Sequence, residues 1–148
     1  MKDYPLAPEL VGVTSWVHSI PLEILKLRGK VIGVAFFSYG CGNCQRFMPH
    51  MQAIYKKFGK EGFVFLGVHS PEFEHERYEI GLKSFLMKYH LSFPVAVDNN
   101  HMVWKKYKNQ YWPTLYLIDK QGRVRERHIG EGGYHRIEHD IAHLLKEN

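Results

Sequence analysis

Two runs of consecutive apolar residues, Val31–Phe37 and Phe63–His69, dominate the hydrophobic pattern of the chain. Each has the length of a strand, and such continuous runs are typical of central strands that are covered on both faces. Between them, residues 44–58 repeat apolar side chains at helical spacing as far as Gly59, and Pro49 is expected to kink this helix. The pattern predicts a β-α-β unit with parallel strands and a right-handed crossover.

Shorter elements complete the predicted fold. They are a helix over about 75–89, a strand over 93–97, a helix capped by Asp98–Asn100, a hairpin of strands 115–118 and 124–129, and a last helix over 134–146. Residues 11–24 alternate weakly and predict two short strands or a loose hairpin, and residues 1–10, with two prolines, predict an extended arm. The predicted architecture is α/β, with one mixed central sheet flanked by helices on both faces.

Length and composition fit one globular unit. The chain has 148 residues and a formal net charge of +5, so we treat 1–148 as a single domain with an N-terminal extension over residues 1–24. Solvated strand and helix faces explain the basic side chains, and we expect no nucleic-acid partner. No stretch reaches the about 20 apolar residues of a membrane-spanning helix, and the first residues lack the apolar core of a signal peptide. We expect either an extracytoplasmic domain trimmed of its signal or anchor, or a cytoplasmic protein.

The only two cysteines, Cys41 and Cys44, lie between the first apolar run and the helix that follows it. A Cys-x-x-Cys at a strand-to-helix junction is a disulfide redox motif, because the free N–H groups and the dipole of the helix N-terminus stabilise a thiolate there. We expect Cys41 to attack a partner disulfide and Cys44, one turn further and facing the core, to resolve the mixed disulfide. The disulfide itself carries two electrons, so we expect no other cofactor.

The two cysteines allow two other interpretations. An inert structural disulfide is disfavoured because a two-residue loop at a helix start is a poor staple. A zinc site would need two histidines, and His135, His139 and His143 recur every four residues along the last helix. Their spacing does not match a zinc finger or a His-Glu-x-x-His site, so we interpret them as flanking the apolar face of an exposed helix and expect no metal.

The motifs together resemble the thioredoxin fold. A strand leads into Cys-x-x-Cys, a proline follows five residues after the second cysteine, and Trp112-Pro113-Thr114 precedes a hairpin. The resemblance implies that Pro113 is the cis-proline of that fold, that it faces the disulfide, and that it docks extended substrate together with the backbone of Trp112 and Thr114. Gly40 is expected to keep room for a partner backbone.

The resemblance extends to the TlpA and ResA branch, and most closely to the thioredoxin-like domain of DipZ-type proteins. It is carried by Leu27–Val31, Cys41–Arg46, Gly67–Phe73, Pro94–Ala96, Asn109–Pro113 and Gly130–Gly132. It covers nearly the whole chain and implies an α-β-α insert over about 71–110. It also implies a reductase of extracytoplasmic protein disulfides, with a CcdA/DsbD-like membrane protein as electron donor. We expect the protein to be a monomer.

Two positions depart from the resembling families. Thioredoxin has a buried aspartate six residues before its first cysteine, where this chain has Ala35, and the ResA-like glutamate three residues after the second cysteine is replaced by Phe47. The proton of the resolving thiol must then go to water or to another carboxylate. We expect Glu72 or Glu74, in the loop after the second apolar run, to supply it.

Other roles stay open at this point. The protein could be an oxidant or isomerase, or a binding module that uses the groove beside Trp112 without turnover; a peroxidase is a weaker alternative. An aromatic beside a site often anchors partners, so Trp112 is interpreted as facing the substrate. Trp104 is interpreted as core packing, and His50 and His69 as histidines with satisfied hydrogen bonds.

Overall fold

A six-stranded mixed sheet carries the fold, with its strands in the spatial order β1-β4-β3-β2-β5-β6. The strands are β1 Ser15–Val17, β2 Val31–Phe37, β3 Phe63–His69, β4 Val95–Val97, β5 Thr114–Ile118 and β6 Val124–Ile129. The computed structural model describes residues 3–148, and the part of the predicted arm at residues 1 and 2 lies outside them. The thioredoxin-like α/β architecture predicted from the sequence is confirmed.

Four α-helices surround the sheet. They are α1 Gly42–Phe58, α2 Glu79–Lys88, α3 Met102–Lys106 and α4 Tyr134–Lys146, and short 3₁₀ helices cover Ile24–Leu27, Gly59–Glu61 and Glu74–Arg77. Residues of α1, α2 and α4 share one buried apolar cluster on one face of the sheet. The other face packs against α3 and the N-terminal segment. Both faces of the sheet are therefore covered, which explains why its central strands are continuous apolar runs.

The strand pairing places the ends of three segments side by side. β2 pairs parallel with β3 and antiparallel with β5. The chain leaves β2 at Phe37 and β3 at His69, and enters β5 at Thr114, whose register partner in β2 is Phe36. These three positions lie at the same end of neighbouring strands, so the loops attached to them meet there.

Two sequence predictions were wrong in detail. Residues 11–24 contain one strand rather than two, because Ser15–Val17 pairs with β4 instead of forming a hairpin of its own. The predicted helix over 75–89 is broken: a 3₁₀ helix ends at Arg77 and α2 begins at Glu79. The residue between them, Tyr78, has an extended backbone and is 69% exposed. The apolar spacing that included Tyr78 could not reveal this break.

Candidate redox site

The two cysteines lie at the start of α1. Cys41 is the N-cap residue, and its sulfur accepts a hydrogen bond from the backbone N–H of Cys44 at 3.2 Å. Cys41 is partly exposed, whereas Cys44 lies one turn into the helix and is completely buried. Both are free thiols in this structure. One sulfur is thus accessible from outside and the other is sealed in the core.

The surroundings separate the acidities of the two thiols. The Cys44 thiol and the backbone N–H groups of Cys44 and Asn43 donate to the Cys41 sulfur, and they lower the pKa of Cys41 to about 7 against the opposing effects of burial and the Glu72 charge. Burial, and then the neighbouring Cys41, raise the pKa of Cys44 far above its ordinary value. At neutral pH Cys41 is therefore substantially a thiolate, and Cys44 keeps its proton.

The segment before β5 faces the nucleophile. The peptide bond between Trp112 and Pro113 is cis, and the Cys41 thiol points at the Trp112 carbonyl oxygen at 3.8 Å. Thr114 is buried, and its hydroxyl donates to the carbonyl oxygen of Tyr111 at 2.7 Å. The threonine side chain therefore holds the turn, and it is the backbone of this segment that borders the cysteines.

The indole ring of Trp112 is anchored inside the protein. It is partly buried, its N–H donates to the Ser70 carbonyl oxygen at 2.7 Å, and it packs on Trp104 with the ring centroids 4.2 Å apart. Trp104 in turn meets the edge of the buried Phe36 ring, which agrees with the core role expected for it. The Trp112 ring is therefore held by a hydrogen bond to the loop after β3 and by packing against α3.

Gly40 lies immediately before the nucleophile, and the space beside it is already occupied. A Cβ atom at this position would lie 2.0 Å from the Oε2 atom of Glu76. Any larger residue at position 40 would collide with that carboxylate. The sequence predicts that Gly40 leaves room for a partner backbone. In the structure, the side chain of Glu76 occupies that space.

The two predicted carboxylates differ in their relation to the cysteines. Glu72 is exposed, and its negative charge raises the pKa of both Cys41 and Cys44. The side chain of Glu74 is 84% exposed and pairs with Arg77 at 3.4 Å. Of these two residues, Glu72 is the one whose charge reaches the thiols.

Sequence reasoning missed a third carboxylate, that of Glu76. Its side chain is buried, and Oε1 accepts hydrogen bonds from the Ser38 hydroxyl at 2.6 Å and from the backbone N–H groups of Glu72 and Phe73 at 2.7 and 3.2 Å. A glutamate at the third position of a helix that bonds back to the N-cap N–H is half of a capping box. Because Phe73 occupies the N-cap, the usual Ser or Thr signal is absent from the sequence.

The two histidines near the motif have different surroundings. His69 is buried at the end of β3, its Nε2 accepts the backbone N–H of Tyr39 at 3.2 Å, and burial lowers its pKa to about 4. His50 is exposed on α1 and stacks on Tyr134 with a centroid distance of 3.7 Å. The expectation of satisfied hydrogen bonds is wrong for His69, whose buried Nδ1 has no partner among the described residues.

The three histidines of the last helix lie on its exposed side. His135, His139 and His143 are solvent-exposed, whereas Ile137 and Ile141 between them are buried. Within residues 3–148, no three His, Cys, Asp or Glu side chains are placed to share a metal ion. The helix therefore has the amphipathic arrangement that the sequence indicated.

A thioredoxin-like family model matches residues 29–124, a span that holds the Cys-x-x-Cys motif, the cis peptide, the four strands β2 to β5 and the first residue of β6. The chain therefore belongs to the thioredoxin-like family. Among its relatives, it is 38% identical over 144 residues to Protein DipZ of Mycobacterium tuberculosis, which covers 95% of this chain and 21% of DipZ.

Two further comparisons agree with this assignment. The chain is 34% identical over 110 residues to the thiol-disulfide oxidoreductase ResA of Bacillus cereus, covering 74% of this chain and 61% of ResA. A crystal structure of a thioredoxin-like superfamily protein superposes with a TM-score of 0.89 at 34% identity, covering 97% of this chain and 98% of the other. The chain spans about a fifth of the length of DipZ. None of the helices described in residues 3–148 is long and apolar enough to cross a membrane.

Proposed function

We propose that this chain reduces protein disulfides by dithiol exchange, with Cys41 as the nucleophile and Cys44 as the resolving thiol. The observation that supports this assignment is the difference between the two sulfurs. Cys41 is partly exposed with a pKa of about 7, whereas Cys44 is buried and its pKa is raised. An accessible thiolate beside a protected thiol is the arrangement that exchange in this order requires.

The exchange proceeds in two displacements. The Cys41 thiolate attacks one sulfur of the partner disulfide, a Cys41–partner bond forms, and the other partner sulfur leaves with the electron pair and is protonated. Cys44 then passes its proton through water to the departing partner sulfur and attacks the Cys41 sulfur, so that the Cys41–Cys44 bond forms and the second partner thiol leaves. The partner gains two electrons and two protons, and the two cysteines are oxidised without any other cofactor or metal.

The backbone around the cis peptide is proposed to align the partner. Pro113 is buried, Thr114 fixes the turn through Tyr111, and the Trp112 carbonyl oxygen lies 3.8 Å from the Cys41 sulfur. An extended partner segment that lies along this edge would bring its own sulfur to Cys41. Gly40 is proposed to form the opposite lip, with the Glu76 carboxylate packed against it.

The cellular setting is proposed from the resemblance to DipZ and ResA. We propose that residues 1–148 form one domain with an insert over about 71–110, that it acts as a monomer outside the cytoplasm, and that a CcdA/DsbD-like membrane protein returns its electrons. Size-exclusion chromatography with light scattering tests the oligomeric state. Thiol labelling with a membrane-impermeant reagent in intact cells tests the location, because only an extracytoplasmic Cys41 would react.

The reduction potential of the Cys41–Cys44 pair tests the direction of the reaction. Equilibration with glutathione and dithiothreitol buffers should give a value near or below about −270 mV for a reductant. A value of about −120 to −180 mV would instead identify an oxidant or isomerase. If no reversible two-electron couple exists, the redox proposal fails and a binding module takes its place.

A trapping experiment separates turnover from binding. Cys44→Ser should accumulate mixed disulfides through Cys41, because the resolving displacement is lost. The matched control replaces both cysteines with serine and should retain no partner under denaturing conditions. If the double variant holds the same partners as the single variant under native conditions and neither forms a covalent adduct, the groove binds without exchange.

A further inference from the structure

We propose that the buried carboxylate of Glu76 acts on the redox pair: it fixes the turn that presents Cys41 and places a negative charge beneath that turn. Glu76 is then a positioning residue and not a group that touches the substrate. The inference rests on the proposed function of the two cysteines and adds a residue that controls them. Ala35 and Phe47 have no carboxylate, so neither can carry a charge beside the cysteines. The inference gives that role to Glu76, in the loop after β3.

The carboxylate is both buried and bonded. Glu76 is 1% exposed, and the Ser38 hydroxyl and the N–H groups of Glu72 and Phe73 all donate to its Oε1. Burial by itself raises the pKa of Glu76, but the hydrogen bonds from Ser38, Glu72 and Phe73 outweigh it, and the pKa lies below its ordinary value. Glu76 therefore carries a negative charge at neutral pH.

The second oxygen of this carboxylate is aimed at the motif. Oε2 is buried, has no hydrogen-bond partner among the described residues, and lies against Gly40, the residue before Cys41. A buried charged oxygen without a partner lowers stability. The three hydrogen bonds to Oε1 already hold the loop, so the need to hold the loop does not explain the position of Oε2. The free oxygen places unneutralised charge at the base of the turn.

Ser38 links this charge to both cysteines. Its hydroxyl donates to Glu76, and its carbonyl oxygen accepts the backbone N–H of Cys41 at 3.2 Å. Its backbone N–H also donates to the Cys44 sulfur, an interaction that lowers the pKa of Cys44 in opposition to burial. A displacement of Ser38 would therefore move both sulfurs. The Glu76–Ser38 bond fixes the residue on which the geometry of the pair depends.

The other groups around Glu76 do not neutralise it. His69 is uncharged above a pKa of about 4, and Tyr39 is a phenol whose pKa is raised by burial and then by the Glu76 charge. Glu72 is itself an anion. Ala35 and Phe47 are completely buried and apolar, and neither carries a charge. Glu76 is thus an uncompensated buried anion in the wall behind the motif.

A negative charge near thiols disfavours their thiolates, so its removal should make Cys41 more acidic. In Glu76→Gln, we expect the apparent pKa of Cys41, measured from the pH dependence of iodoacetamide alkylation, to fall by about 0.3 units. At pH 6 the alkylation rate should rise about twofold, because the thiolate fraction roughly doubles. The reduced form is stabilised to a similar degree, so the potential should rise by about 5 mV.

The matched control is Glu79→Gln. The Glu79 carboxylate also accepts a hydrogen bond from a serine hydroxyl, that of Ser15 at 2.7 Å, and it begins α2 in the same part of the chain. This variant should leave both the Cys41 pKa and the potential at their wild-type values. Equal shifts in the two variants, or a Glu76→Gln protein that is folded and has wild-type values, would overturn the proposal.

Two measurements keep the test decisive if Glu76→Gln does not fold. Glu76→Met removes both the charge and the acceptor of the Ser38, Glu72 and Phe73 donors, so it should change the alkylation midpoint of Cys41, and a wild-type midpoint would refute the inference. In the wild-type protein, carboxyl ¹³C NMR should show Glu76 ionised at pH 7, and a protonated Glu76 at that pH would refute the inference. If the wild-type protein has no reversible redox couple, the proposed function itself is refuted. This outcome is distinct from one in which the wild type has a couple that Glu76→Gln leaves unchanged.

Discussion

The indole N–H of Trp112 donates a hydrogen bond of 2.7 Å to the carbonyl oxygen of Ser70. This bond joins the segment before β5, which carries the cis peptide, to the loop that leaves β3. Because the Trp112 carbonyl oxygen faces the Cys41 sulfur, the bond fixes the position of the proposed substrate-aligning backbone from behind. The tryptophan side chain is therefore a structural support of the proposed groove.

Trp112→Phe tests that relationship. The variant keeps an aromatic ring on Trp104 but leaves the carbonyl oxygen of the buried Ser70 without its donor. We expect a loss of about 1–3 kcal/mol in the free energy of unfolding, measured by urea denaturation, together with slower reduction of a disulfide substrate. Tyr111→Phe, at an exposed neighbouring ring, is the control and should unfold like the wild type. A wild-type stability for Trp112→Phe would show that the hydrogen bond contributes nothing.

The hydrogen bond from the Cys44 thiol is the largest cause of the low pKa of Cys41. In the wild type, alkylation of Cys41 should increase with pH and reach half its maximum near pH 7, because the thiolate is the reactive form. Cys44→Ala removes the donor, so the midpoint should move to higher pH. The measurement is the rate of iodoacetamide alkylation from pH 5 to pH 9. An unchanged midpoint would mean that the helix N–H groups alone stabilise the thiolate.

Glu72→Gln should move the same midpoint in the other direction. The Glu72 charge raises the pKa of Cys41, so its removal lowers that pKa. The effect should be small and should fade with added salt, since Glu72 is exposed and screened by solvent. Glu74→Gln tests the second predicted carboxylate and is expected to shift the midpoint less, because Glu74 points into solvent and pairs with Arg77. A larger shift for Glu74 than for Glu72 would reverse this assignment.

The close approach of Gly40 and Glu76 predicts a coupled pair of substitutions. Gly40→Ala places a methyl group on the Glu76 carboxylate, and the backbone of Gly40 is outside the left-handed region, so steric conflict is the main cost. We expect a loss of about 1–3 kcal/mol in the free energy of unfolding. In a Glu76→Ala background the same methyl should cost much less, and urea denaturation of all four proteins gives the coupling energy. Additive effects would show that the carboxylate does not occupy this space in solution.

The features that were predictable from the sequence are those encoded locally. The composition of Val31–Phe37 predicts a buried strand, and the spacing of Cys41 and Cys44 at a helix start predicts which of the two is exposed. The cis bond before Pro113 followed from a family resemblance and is present in the structure. In each case the relevant residues are neighbours in the chain or belong to a known motif.

The features that escaped prediction depend on contacts between distant residues. Glu76 meets Ser38 across 38 positions, and Trp112 meets Ser70 across 42. Three glutamates at 72, 74 and 76 look alike in the sequence, and only the turn of the 3₁₀ helix over Glu74–Arg77 decides which of them is buried. That turn results from packing against the end of β2, and no local pattern records it.

The hydrogen bond between His69 and Tyr39 makes the active-site turn insensitive to moderate acid. Since Nε2 accepts the Tyr39 N–H, the ring proton of neutral His69 resides on Nδ1. Protonation of Nε2 would break this bond. Because the pKa of His69 is about 4, this protonation occurs only in strongly acidic solution. From mildly acidic to alkaline medium the imidazole is therefore a fixed acceptor rather than a titrating switch. The His69–Tyr39 bond is therefore retained across the pH range in which the Cys41 sulfur changes its charge.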